Sequence, residues 1–284
     1  MTDQFTTRLA VLARERHPHT SPESLRETAT YLSQQFTHSG LAITTHRFDA
    51  WGQTYNNVIG TKPAANDSPA APLILAAHYD TVEGSPGADD NASALVVLLD
   101  VARRLTQTAL TRPVQFIAFC LEEEDLLGSR AYVNHLAATG QSIHGAIVLE
   151  CVGYASEQED SQKIPPGIPV AVPSVGNFLA LIGNQASAQL ATALTQAMAP
   201  IVPVVPLIVP GNGEQLPDTR RSDHTAFWER DFPAVMVTDT ANFRNPHYHR
   251  STDTVETLNL NFLRAVADAV TTAVLALAAT TERS

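Results

Sequence analysis

Cysteine is nearly absent. Cys120 and Cys151 are the two in 284 residues, and their spacing is not paired. That excludes a disulfide scaffold and a cysteine-ligated zinc site, and leaves both as small buried strand residues. Basic residues are also short: 18 Lys and Arg stand against 29 Asp and Glu, a formal net charge of −11. A nucleic-acid surface needs basic stripes, so no nucleic-acid partner is expected. The N-terminal MTDQFTTRLAVLARERHP mixes polar and apolar residues at helical spacing without a continuous hydrophobic region. Neither a signal peptide nor a membrane span is expected there, and a cytoplasmic location is the default. Repeats, low-complexity tails and flexible interdomain linkers are missing too.

What is present is a substantial apolar content, 44 %, arranged in alternating elements. SPESLRETATYLSQQFTHS (21–39) predicts a helix with Ser21 as N-cap, Pro22 at its first position and Gly40 as its stop. LAITTHRF and NNVIGT predict strands, and PLILAAHYD, PVQFIAFCL and HGAIVLECV predict buried ones. Helices are expected from Asp90 to Leu105, after Gly128, over ASAQLATALTQAM and from about Asn259 to Ala279, with further strands at NFLALIGN, VPVVPLIV and PAVMVTD. Residues 156–176 carry four prolines and read as an irregular excursion. The alternation implies one α/β domain over residues 1–284: a three-layer α/β/α sandwich with a central mixed, mostly parallel sheet. In such sheets, sites form beyond the carboxyl ends of the strands.

One stretch resists that simple pattern. The apolar run FIAFCL ends in Glu122, Glu123, Glu124 and Asp125. Adjacent carboxylates repel, and burying one without a partner is costly. Either the stretch is a solvated loop or something cationic sits beside it. The other two apolar runs also end in potential ligands: His78 and Asp80 after PLILAA, and Glu150 after AIVL. GADDNAS places Asp90 near a helix start, and NPHYHRSTDT follows a further strand. Singly, each has a plain reading as strand end, cap, turn or surface loop. Together they would meet at one sheet edge. Imidazole and carboxylate without thiolate suit zinc or a similar divalent ion, cobalt and manganese included. Two ions ~4 Å apart need a bridging carboxylate.

The series HYD, GADDNAS, EEEDLLGS, LECVGY, SDHTAF and YHRSTDT resembles the co-catalytic dizinc aminopeptidases, metallopeptidase family twenty-eight, over about residues 55–260. The resemblance implies two zinc ions bridged by Asp90, one completed by His78 and Glu150, the other by Glu123 and His249. It implies Glu122 as general base, Tyr248 as oxyanion stabiliser, and Asp80 hydrogen-bonded to the far nitrogen of His78. Glu150 stands where the family more often has Asp, and the three glutamates allow Glu122–Glu123 or Glu123–Glu124 as the functional pair. The first keeps the family's spacing to Gly128-Ser129. Asp223 and His224 are expected to order the rim, and His247 to yield ligation to His249.

The implied activity is aminopeptidase: hydrolysis of the N-terminal peptide bond of substrates with a free N-terminus. A glutaminyl-cyclase-like enzyme, which uses one zinc, and a dizinc carboxypeptidase or deacylase are the enzymatic alternatives. A non-catalytic binding protein on the same fold would require missing ligands, and all five are present.

Overall fold

The computed structural model describes residues 4–65 and 68–279. Helices α1 (Gln4–Leu12) and α2 (Pro22–His38) precede a hairpin of β1 (Ala42–Ala50) and β2 (Gln53–Lys62). The alternation expected from the sequence follows: β3 (Leu73–His78), α3 (Ala94–Arg104), β4 (Val114–Phe119), α4 (Leu127–Thr139) and β5 (Gly145–Glu150). After the excursion, which forms neither helix nor strand, come β6 (Leu179–Asn184), α5 (Ala188–Met198), β7 (Val204–Val209), α6 (His224–Trp228), β8 (Ala234–Thr238) and α7 (Leu260–Ala279).

Among the described residues the strands form one sheet in the order β1-β2-β4-β3-β5-β8-β6-β7. The inner four, β4, β3, β5 and β8, run parallel, whereas β1, β2 and the β6–β8 pairing are antiparallel. The fold is therefore α/β with a mixed sheet, and the carboxyl ends of β3, β4 and β5 do share one edge. Buried parallel strands read as unbroken apolar runs because both faces are covered. In β3, Leu73, Leu75 and Ala77 face one core while Ile74 and Ala76 face the other. The first core holds side chains of α1, α2, α3, α5 and α7, and the second those of α4 and α6. Helix α7 is apolar enough, and long enough, to cross a membrane, yet it lies on α3 and α5 with Leu263, Val266 and Val270 buried.

Ser21 is the N-cap of α2 as expected, its carbonyl accepting from Leu25 at 3.1 Å, although its side chain makes no capping bond. One local expectation is corrected. Asp90 does not begin a regular helix: residues 88–93 form an irregular turn with Asp90 and Asn91 outside helical geometry, and α3 starts at Ala94. Buried carboxylate contacts to that turn, described next, outweigh the helical pattern.

Candidate metal centre

His78 closes β3, fully buried, with Nε2 3.1 Å from Asp90 Oδ1 and 3.4 Å from Glu150 Oε2. His249 approaches from the far side, its Nε2 3.0 Å from Asp90 Oδ2 and 3.2 Å from Glu123 Oε2. The two oxygens of Asp90 thus serve two separate donor groups. Glu122 adjoins the first group, its Oε2 3.8 Å from His78 Nε2, and it stands close enough to His78 and Glu150 to share an ion with them. Glu124 turns away, 3.5 Å from His17. Of the two registers left open by the sequence, the geometry brings Glu122 and Glu123 to the cluster.

Each ligand-bearing loop is held by groups that do not enter the cluster. Both oxygens of Asp80 accept backbone N–H bonds at 3.1 Å, from Glu122 and Glu123. Its distance to His78 Nδ1, 3.6 Å, is beyond a hydrogen bond. Asp80 therefore fixes the acidic turn while its Oδ1 faces the far nitrogen of His78. Asp253 does the same for the other loop, accepting from the N–H groups of Asp89 at 2.9 Å and Asp90 at 3.1 Å. Asn91 ties that turn to β5, donating to Leu149 O and accepting from Cys151 N. Ser222 donates to Glu150 Oε2 at 2.8 Å. Asp253 lay inside a quoted motif but carried no separate signal, and Ser222 carried none.

Backbone geometry at these strand ends is unusual. Leu121, Leu126, Cys151 and His249 all have positive φ without being glycine, a conformation that costs about 1–3 kcal/mol each and persists where surroundings over-determine it. Gly128 supplies the complementary close approach: a Cβ there would sit 2.0 Å from Cys120 O and 2.6 Å from Asn57 Oδ1. Asn57 itself donates to Gly128 O and accepts from Cys120 N, at 2.8 and 3.0 Å.

Electrostatically, the cluster holds more negative charge than its own side chains balance. Burial pushes Glu122 well above the carboxylate range, against the pull of His78. Burial, together with repulsion from Asp90, raises Glu123 to about 8. Burial would lower His249, but hydrogen bonds with Asp90 and Glu123 outweigh it and raise the imidazole to about 10. Asp90 is held below its usual value by His249 and His78 despite its burial. Among the described residues, Asp90 Oδ1, Glu123 Oε1 and both His78 nitrogens are buried without a hydrogen-bond partner. Unpaired carboxylate oxygens with the His78 Nε2 lone pair beside them fit a bound cation.

His224 and His247 have partners outside the cluster. His224 bonds Thr219 O at 2.8 Å and packs edge-on to Trp228, and His247 bonds Thr252. Asp223 is fully buried beside His224. Both cysteines are free and buried. Tyr248 stacks on His249, ring centroids 3.8 Å apart, and its hydroxyl accepts from Arg221 at 3.2 Å. Beyond Tyr248 and Glu150 opens an apolar hollow lined by Ile168, Phe178, Ile182, Leu207 and Met236. Two of its walls are β6 and β7, and a third is the proline-rich excursion. Phe227 and Trp228, on α6, do not line it and are fully buried in the second core.

Comparison with known proteins identifies the family. The model of peptidase family M28 matches residues 57–274. The uncharacterized protein YfbL of Escherichia coli K12 is 32 % identical over 95 % of this chain and 86 % of its own length. Leucine aminopeptidase 1 of Arthroderma otae is 24 % identical over 84 % of this chain, which spans 64 % of that protein. In structure, LapA of Legionella pneumophila superposes with a TM-score of 0.78 at 22 % identity, over 99 % of this chain and 74 % of its own. BSAP, a zinc aminopeptidase from Bacillus subtilis, gives 0.61 at 25 % identity over 82 % of this chain and 52 % of its own. The chain therefore belongs to peptidase family M28 and is a hydrolase of the metallo-exopeptidase class.

Proposed function

We propose that the chain is an aminopeptidase that releases the N-terminal residue of peptides, with two zinc ions sharing Asp90. One ion would be held by His78 and Glu150, the other by Glu123 and His249. The observation that carries this reading is the division of Asp90's oxygens, 3.1 Å from His78 and 3.0 Å from His249. Such ions, when bound, polarise a carbonyl and make water acidic enough to react near neutral pH.

The chain's own groups supply the rest. Glu122 is buried beside His78, and the proposed division assigns it to neither ion, which leaves its carboxylate to take a proton from the attacking water and return it to the leaving amine. Asp80, through the two N–H groups it holds, keeps Glu122 and Glu123 pointing into the cluster. The Tyr248 hydroxyl accepts from Arg221, which leaves its own proton to donate to the tetrahedral oxyanion. The free α-amine of the substrate would pair with the cluster's carboxylates, and an N-acetylated peptide could not. The adjoining hollow is apolar, so an aliphatic or aromatic N-terminal side chain fits it best.

Incubation of zinc-reconstituted protein with matched free and N-acetylated peptides, read by mass spectrometry, tests this directly. Stepwise loss of N-terminal residues from the free peptides alone is the expected outcome. Ammonia loss from N-terminal glutamine, or trimming from the carboxyl end, would refute it.

A further inference from the structure

The N-terminal segment lies outside the matched family region, yet one of its side chains reaches beneath the metal centre. Arg16 is fully buried. Its Nε donates to Tyr79 O at 2.7 Å, and Tyr79 sits between His78 and Asp80. Nη1 donates to Arg14 O at 2.6 Å and Pro86 O at 3.0 Å and also to Leu12 O, while Nη2 donates to Gly87 O at 3.2 Å. Its backbone N–H is taken by Thr81 Oγ1 at 2.9 Å. Among the described residues it forms no ion pair within 4 Å, so carbonyl oxygens take the place of a carboxylate partner.

Those carbonyls belong to two segments. Tyr79 follows the ligand His78, and Gly87 opens the turn that carries Asp90. Gly87 has φ +60°, and a Cβ there would meet Asp90 O at 2.3 Å and Arg16 Nη2 at 2.9 Å. The guanidinium, with Asp90 O and the Thr81 methyl, closes off the space a side chain would claim, and its donors hold both segments to one rigid plane. Arg suits this role because its planar fork offers donors in fixed directions. Burial lowers it to about 10, against attraction from Asp80, Asp90 and Asp253, so it remains charged at neutral pH.

We propose that Arg16 is a positioning residue of the metal centre: it sets the separation of His78 and Asp90 and thereby the affinity for zinc. This rests on the metal-centre reading above. The family's ligand motifs do not include it, and it touches neither donor group.

The test is zinc affinity of the metal-free protein, measured by competition with a chromophoric chelator, for wild type, R16M, R16K and Leu194→Ala. Leu194 lies buried in α5, away from the cluster, and controls for loss of stability alone. Outer partners of metal ligands typically contribute about 10- to 100-fold in affinity. R16M should fall in that range and R16K between it and wild type, since one ammonium cannot span the Tyr79 and Gly87 carbonyls. Leu194→Ala should melt earlier and bind zinc as wild type does. R16M with wild-type affinity would overturn the proposal. If R16M does not fold, R16K with wild-type affinity overturns it. An affinity loss in Leu194→Ala that matches that of the Arg16 variants would also overturn it, by assigning the effect to general destabilisation. Failure of wild type to bind zinc would instead strike the metal-centre reading, and this proposal with it.

Discussion

The two faces of the sheet are covered to different extents. On one, α1, α2, α3, α5 and α7 lie side by side, and Leu98, Leu263, Val266 and Val270 are sealed from solvent. On the other, α4 and α6 cover the middle strands, while β6, β7 and part of β8 face the irregular excursion across an apolar hollow. The closed face is built from long amphipathic helices and serves stability. The open face ends its helical cover where the hollow meets Glu150 and Tyr248, the place proposed for the substrate's N-terminal side chain. The metal centre belongs to neither, because it occupies the edge where the parallel strands stop.

The division can be broken at its edge first. Glu122→Gln removes the proposed base while keeping its shape, and kcat should fall by about 10²–10⁴-fold with metal content unchanged by elemental analysis. Full activity would sink the assignment. On the closed face, Leu263→Ala should cost about 2–5 kcal/mol in denaturant titration while leaving turnover per folded molecule intact. A change in substrate preference from that variant would mean the faces are not separable.

On the open face, His224 offers a titration. Burial lowers it to about 4, only partly offset by its bond to Thr219. The folded state therefore resists protonation that the unfolded chain accepts near its ordinary value of about 6.5. Its contribution is present above pH ~6.5 and is lost as pH falls toward 4, a difference of about 3 kcal/mol at most. Stability measured against pH for wild type and His224→Gln should diverge in slope within that window, and parallel slopes would refute it. The smallest effect concerns the hollow itself. Ala180→Phe, on β6, should lower kcat/KM for leucyl relative to alanyl substrates by about tenfold, the scale of small steric changes in apolar pockets. Equal losses on both would place the N-terminal side chain elsewhere.

Much of this was legible in the sequence for a physical reason. Strands buried on both faces must be apolar throughout, so LILAA, FIAF and AIVL announced themselves, and a polar residue directly after each could only be at the edge. Helix α7 was readable to within a residue because its apolar stripe is long. What escaped lay in contacts between distant segments. The spacing to Gly128-Ser129 favoured Glu122–Glu123 over Glu123–Glu124 only by resemblance, without a physical reason. The choice is made by Asp80, whose two oxygens bind consecutive N–H groups 42 and 43 residues away. The same applies to Asp253 under the Asp90 turn, to Ser222 beside Glu150, and to Arg16, which in sequence is one more arginine in a polar stretch. The helical pattern starting at Asp90 misled because the turn is shaped by those contacts and not by its own periodicity.

Gly128 has a consequence for anyone mapping this protein by mutation. It bears no chemistry, yet the carbonyl of Cys120 and the amide of Asn57 occupy the space of any side chain it could gain. Every substitution must displace the end of β4, and with it the turn that carries the two glutamates. In a saturation scan scored by activity, position 128 would be as intolerant as the ligands themselves. A reader of that scan alone would count one catalytic residue too many.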